Sequence, residues 1–197
     1  MRRGLSEPLE GATGEQEEEK PPEVTFKGLL SGFRVIVTKD DSTGELLKRG
    51  LGDEEGDSVT LRPYEAMYLM RLNWLQVTDR DGNPVTFEQL VGRSLSENKR
   101  GWTKFLVYRD LRSRGYVVRE GYGIRSDLRV YARGDYPGGA AKYTVIPINE
   151  GEKIALSEMI RMIETVYRMG KEPIIAVVER RGEIIYYRAS KMNFAEN

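Results

Sequence analysis

The sequence predicts an α/β (α+β) protein, with a small mixed N-terminal domain followed by a compact C-terminal α/β domain. Three observations carry this. Short β-rich runs alternate with segments of helical spacing throughout. The second half follows the order helix, three strands, helix, two strands. A polar Ser-Glu-Asn-Lys-Arg-Gly stretch at 96–101 interrupts the periodicity between the halves, as a domain boundary does. The expected organisation is a tail over 1–22, an N-terminal domain over 23–98 and a C-terminal domain over 99–197.

Residues 1–22 contain Glu7, Glu10, Glu15, Glu17, Glu18 and Glu19 and almost nothing apolar. Such a segment cannot bury enough surface to offset its ordering entropy, so a disordered acidic tail is expected. From Val24 onward VTFKGLL and FRVIVTK read as strands split at Ser31-Gly32. STGELLKRG reads as a short helix closing on Gly50, and DSVTL as a further strand. Pro63 suits a first helical turn, followed by Ala66, Met67, Leu69, Met70 and Leu72 at helical spacing. LQVTD, an Asp-Gly-Asn turn at 81–83 and PVTF complete this half, with FEQLVGRSL as another helix.

Beyond the break, Trp102–Arg114 reads as an amphipathic helix with Trp102, Phe105, Leu106 and Leu111 inward, stopped by Gly115. Strands are expected at YVVRE, DLRVYAR and KYTVIPI. A helix over Ala155–Met169 places Leu156, Met159, Ile160, Ile163, Val166 and Tyr167 on one stripe, with Gly170 at its end. PIIAVV lacks alternation, which predicts a strand buried on both faces. A turn at Arg180–Gly182 leads to the last strand, EIIYYRA.

Composition excludes several chemistries. With 31 basic and 31 acidic residues, net charge gives no argument for a polyanionic partner, and only local clustering can. There is no cysteine, hence no disulfide and no thiolate ligand or nucleophile, and no histidine, the usual acid/base group near neutral pH. The apolar runs are far too short for a membrane span, and the N-terminal segment lacks the apolar core of a signal peptide. A soluble cytoplasmic protein is expected. No lysine-bearing glycine loop is present, because Gly134–Gly139 lacks both the lysine and the helix start. Nor does 102–197 hold the paired carboxylates of a metal-dependent nuclease, so no metal or other cofactor is expected.

Between Lys99 and Arg133 ten basic residues stand against three acidic ones, with Tyr108, Tyr116, Tyr122 and Tyr131 interleaved. Arginine among aromatics is the composition that grips phosphates and unstacked bases, and Arg100, Lys104, Arg125, Arg129 and Arg133 are the candidate RNA contacts. The same composition fits a solvated helix face beside ordinary strand tyrosines.

RDLRSRGYVVREGYGIRSDLRVYARG, followed by a KYTV strand and later by K…IIAVV and G-x-I-x-YY, resembles the C-terminal domain of tRNA-intron splicing endonucleases. The resemblance covers about residues 103–191, and the N-terminal half more loosely. It implies an endonuclease-like domain with a central mixed sheet. It also implies metal-free RNA cleavage in which a tyrosine helps deprotonate the ribose 2′-hydroxyl, a histidine protonates the leaving oxygen and a lysine stabilises charge at phosphorus. The products carry a 2′,3′-cyclic phosphate and a 5′-hydroxyl.

Those positions fall on Tyr131, Ala140 and Lys171. An alanine methyl cannot donate a proton. The Tyr131–Ala140 loop is also one residue shorter than the family pattern, and a base-gripping arginine falls on Glu164. The resemblance therefore implies a non-catalytic structural subunit of the crenarchaeal type. It would pair with a catalytic endonuclease subunit in a two-plus-two heterotetramer that excises introns from precursor tRNA at bulge–helix–bulge motifs. Its expected interface is the acidic turn Glu179, Arg180, Arg181, Gly182, Glu183, with Ile185 and Tyr187 of the closing strand. Two rivals stand beside it. One is an active homo-oligomeric endonuclease whose histidine is substituted at Ala140, and the other a free-standing structured-RNA-binding protein.

Overall fold

A computed structural model describes residues 21–125 and 127–192, so most of the acidic N-terminal segment lies outside the described residues. The N-terminal half contains β1 (Phe26–Ser31), β2 (Arg34–Thr38), α1 (Thr43–Lys48), β3 (Asp53–Glu55), β4 (Ser58–Leu61), α2 (Pro63–Arg71), β5 (Leu75–Thr78) and α3 (Phe87–Glu97). The C-terminal half contains α4 (Gly101–Ser113), β6 (Val117–Glu120), β7 (Leu128–Tyr131), β8 (Tyr143–Asn149), α5 (Leu156–Arg168), β9 (Glu172–Val178) and β10 (Ile184–Arg188). The mixed α/β architecture with two mixed sheets matches the fold class read from the sequence.

The first sheet has the order β3-β4-β2-β1-β5, antiparallel except for β1 beside β5. The α2 helix that joins β4 to β5 begins as Pro63 at its first position suggests. Glu65 accepts the Arg62 N–H at 2.9 Å, satisfying a donor left free at the helix start.

The second sheet has the order β10-β9-β8-β7-β6, with β8 and β9 parallel through the α5 crossover. Alternate residues of β9 face opposite sides. Ile174, Ala176 and Val178 join the main core, whereas Ile175 and Val177 pack with Ile146, Ile148, Met162 and Val166 under α5. PIIAVV is thus covered on both faces, as its unbroken apolar run requires.

Two helices depart from expectation. Trp102, expected inward, is 38% exposed on α4, its ring against Phe87 and Phe105 at the rim. α4 lies between α2 and the second sheet, so the consecutive residues Phe105 to Tyr108 are all buried and no single stripe describes it. On α5, Met162 and Val166 are the buried positions, while Leu156 is 74% and Ile160 48% exposed. The helix packs on Ile146 and Ile148 of β8 and Ile175 of β9, and the Leu156–Ile160 edge of its apolar stripe is left uncovered.

The main core runs without a break from the first sheet through α2 and α4 to Val118 and Ile174 of the second. Tyr108 of α4 sits 4.8 Å from the Tyr64 ring and 5.7 Å from the Tyr68 ring, both on α2. Polar ties reinforce the seam. Arg112 donates to the Arg49 carbonyl at 2.8 Å, and Tyr64 donates to Glu120 at 2.9 Å. Gly50, at φ +70°, lets the chain pass close beneath β6, where a Cβ would stand 2.5 Å from the Val117 side chain.

Candidate functional site

Strand register brings the three family positions to one end of the second sheet. β7 runs antiparallel to β8, pairing Val130 with Tyr143, so Tyr131 stands at the end where β8 begins. β9 runs parallel to β8, pairing Glu172 with Tyr143, so Lys171 stands at the same end. Backbone bonds fix the row: Lys142 N–H to the Val130 carbonyl at 3.0 Å, and Glu172 N–H to the Lys142 carbonyl at 3.1 Å. Ala140 is exposed in the loop that enters β8, while Ala141 is buried beside it.

That loop is anchored. The Tyr136 ring meets Tyr131 edge to face at 5.1 Å, and the Tyr136 hydroxyl donates to the Leu47 carbonyl of α1 at 3.3 Å. A residue between the family positions thus ties the site to the N-terminal half. The end offers a phenol at Tyr131 and an ammonium at Lys171, both proton-bearing groups, but position 140 presents a methyl. A tyrosine and a lysine can orient and stabilise charge on a phosphodiester, yet nothing at position 140 can hand a proton to the leaving oxygen.

Four of the five candidate RNA contacts lie toward the opposite end of the sheet and are already engaged. Arg100 donates to Glu152 at 2.8 Å, and Arg125 donates to Glu152 at 2.7 Å and also pairs with Glu158. Arg129 donates to the Glu120 carbonyl at 2.6 Å, with its guanidinium over the Tyr122 ring. Lys104 is the one of the five that is buried. Its side chain is 7% exposed, ion-paired with Glu120 and laid over the Tyr64 ring. Arg133 alone of the five is at the Tyr131 end, over the Tyr116 ring and donating to the Arg114 carbonyl at 2.7 Å.

A mixed-charge cleft of about 440 Å³ opens between the halves, lined by Arg34, Arg62, Tyr64, Glu97, Lys104 and Glu120. Beyond it Glu152 is the shared anion of Arg100 and Arg125. Burial pushes its carboxyl up, but the hydrogen bonds and charges of the two guanidiniums outweigh this and hold it below the ordinary range.

Residues 101–186 match the family model described as tRNA intron endonuclease, catalytic C-terminal domain, and residues 26–91 match its N-terminal domain. The chain is 30% identical over 166 residues to a tRNA-splicing endonuclease of Methanococcus vannielii, covering 84% of this chain and 94% of that protein. It belongs to the tRNA-intron endonuclease family. Similar proteins of the same name come from Pyrococcus abyssi, 29% identical over 84% of this chain and 95% of theirs, and Methanothermobacter thermautotrophicus, 31% identical over 79% and 92%. Among the described residues of this family member, no helix is long and apolar enough to cross a membrane.

The expected docking residues occupy the β9–β10 hairpin. Glu179 N–H donates to the Glu183 carbonyl and Gly182 N–H to the Glu179 carbonyl, both at 2.9 Å, with Gly182 at φ +84°. Arg180 reaches Glu150 at 2.8 Å, and its side chain is 91% exposed. β10 is an edge strand whose residues alternate. Ile184 and Tyr186 pack on the main core, whereas Ile185 and Tyr187 point to the α5 side and are 39% and 52% exposed. An open edge bearing apolar side chains is the kind of surface that natural sheets normally cover.

Sequence reasoning missed Tyr136, Lys142 and Arg188. Tyr136 is marked only by its contacts with Tyr131 and Leu47, and Lys142 and Arg188 only by where strand pairing places them.

Proposed function

We propose that this chain is the structural, non-catalytic subunit of a tRNA-splicing endonuclease, working in the cytoplasm with a catalytic chain in a two-plus-two assembly. The assembly would excise introns from precursor tRNA at bulge–helix–bulge motifs without a metal ion, leaving 2′,3′-cyclic phosphate and 5′-hydroxyl ends. One observation carries the reading. The position that needs a general acid holds the methyl of Ala140, in a chain with no histidine anywhere. Losing a general acid costs about two to four decades of rate, and the remaining members of a catalytic unit add little alone. Tyr131 and Lys171 therefore persist as parts of the sheet end. The partner-facing surface is the Glu179–Glu183 turn together with Ile185 and Tyr187, which supports assembly as the reason the chain is retained.

The test is a cleavage assay on intron-containing precursor tRNA, with and without magnesium, using the purified chain alone, a catalytic homologue alone, and both together. The chain alone is expected to leave the RNA intact, and cleavage is expected when both are present. Robust cutting by the unmodified chain alone overturns the reading.

A further inference from the structure

The charged side chains of the second sheet are sorted by end. At the end distant from Tyr131 cations and carboxylates are matched: Arg100 with Glu152, Arg125 with Glu152 and Glu158, Lys104 with Glu120, Arg180 with Glu150. At the Tyr131 end, among the described residues, cations outnumber carboxylates. Arg114 pairs with Asp110 at 2.8 Å, and Lys142 and Arg188 share the single carboxylate of Glu172 at 3.9 and 3.1 Å. Arg133 is held by uncharged partners, the Arg114 carbonyl and the Tyr116 ring. Lys171 adds a further cation one residue before β9.

These cations are half exposed yet supported. Arg114 lies over the Tyr186 ring at 5.8 Å, Arg133 over Tyr116 at 5.7 Å and Lys142 over Tyr143 at 5.1 Å. Arg114, Lys142 and Arg188 keep 45%, 49% and 45% of their side chains in solvent. A cation braced on an aromatic face loses less freedom when it meets an anion. The charges do not converge on one point, as a small anion would need. Arg188, Lys171, Lys142 and Arg133 stand at the ends of the neighbouring strands β10, β9, β8 and β7, and with strands about 4.8 Å apart the row spans about 14 Å. That geometry suits an extended polyanion, and guanidiniums pair with phosphate oxygens through two parallel donors.

We propose that this end of the sheet is a binding platform for the sugar–phosphate backbone of RNA, gripped by Arg133, Lys142 and Arg188 and left uncut. The proposal rests on the chain being a subunit that acts on precursor tRNA, and adds that this chain holds the RNA itself rather than only its partner.

The test uses the full chain, without partner, and a labelled intron-containing precursor tRNA whose binding is measured across a salt series. The triple variant Arg133→Ala/Lys142→Ala/Arg188→Ala should raise the Kd at least about tenfold. It should also flatten the log K against log salt slope by about 2 to 3, since each phosphate left without its cation removes about 0.7 to 0.9. The pair Arg100→Ala/Arg125→Ala, at the matched end, should bind within about twofold of the unmodified chain. Circular dichroism checks that the variants fold, and the single variant Arg133→Glu, at an exposed position, should weaken binding if the triple does not fold.

Equal binding by the folded triple variant and the unmodified chain overturns the proposal, as does an equal loss in the control pair. A triple variant that loses its assembly with a catalytic chain but keeps its RNA affinity also overturns it, marking the platform as a protein contact. RNA binding by the isolated chain combined with failure of the assembled pair to cleave would remove the subunit reading and leave the platform standing. Cleavage by the pair with no RNA binding by this chain would do the reverse.

Discussion

Arg119 of β6 places its guanidinium 3.8 Å from the carboxylate of Glu65, a wholly buried residue in the first turn of α2. The same guanidinium donates to the Gly52 carbonyl at 2.6 Å and the Gly50 carbonyl at 3.1 Å, and pairs with Asp53. Glu65 in turn accepts the N–H groups of Gly52 and Arg62 at 3.1 and 2.9 Å. One C-terminal arginine thus satisfies several groups of the N-terminal half at once, close to the loop that Tyr136 anchors on α1. The seam keeps the site end of the second sheet in fixed relation to the first.

Replacing Arg119 by methionine should cost about 3 to 5 kcal/mol, because it strands the Glu65 carboxylate in the interior without its counter-charge. For a chain of this size that is a fall in Tm of about 6 to 20 °C by circular dichroism. A change below about 3 °C would show that Glu65 finds compensation elsewhere.

Glu152 should give the chain an acid-sensitive stability term. Its folded carboxyl titrates below its ordinary value of 4.5, so the stability it contributes is present above that pH and is lost as the pH falls through the depressed value. Denaturant unfolding from about pH 7 down to about pH 3 should show a shallower acid loss in Glu152→Gln than in the unmodified chain. Identical acid limbs would mean that the Arg100 and Arg125 contacts carry no net linkage.

If Ala140 stands at the acid's position as proposed, Ala140→His should give at best weak cleavage of precursor tRNA by this chain alone. The loop is short and exposed at Ala140, while Tyr131 is packed against Tyr136, whose hydroxyl is tied to Leu47. A histidine would have to reach the leaving oxygen within about 3 Å to act. Cleavage within about tenfold of a catalytic homologue would show that the loop needs only its acid.

If the chain assembles as proposed, the double substitution Glu179→Lys/Glu183→Lys should break the proposed tetramer into dimers while the fold survives. The turn is fixed by its own backbone hydrogen bonds and does not depend on either carboxylate. Charge pairs desolvated at an interface are worth about 1.5 to 7 kcal/mol, and exposed ones less than about 1. The apolar contact of Ile185 and Tyr187 should hold the dimer. Light scattering alongside circular dichroism reads both parts, and an unchanged tetramer mass would reduce the hairpin to a turn.

Nearly every regular element was legible in the sequence, because each is set by local rules: Pro63 starting α2, Gly115 stopping α4, the unbroken PIIAVV run of β9. The short β3 was not, since Asp53–Glu55 is charged and becomes a strand only by pairing with β4. Periodicity reported which residues of α5 are apolar but not which are covered, because covering requires a neighbour and Leu156 and Ile160 stay exposed in this chain. Clustering in the sequence likewise grouped Arg100, Lys104, Arg125, Arg129 and Arg133, which strand register then divided between two ends of the sheet.

The sequence by itself determined the family pattern and the absence of an acid at Ala140, since both are matters of residue identity. Only the tertiary structure decided which charges remain available. Lys104 and Arg125 look like surface cations along the chain, but folding brings Glu120 and Glu152 against them. Arg133, Lys142 and Arg188 come from three separate segments and reach the same end of the sheet only when their strands pair. Identity is written residue by residue, whereas solvation and pairing of charge depend on which distant segments the fold sets side by side.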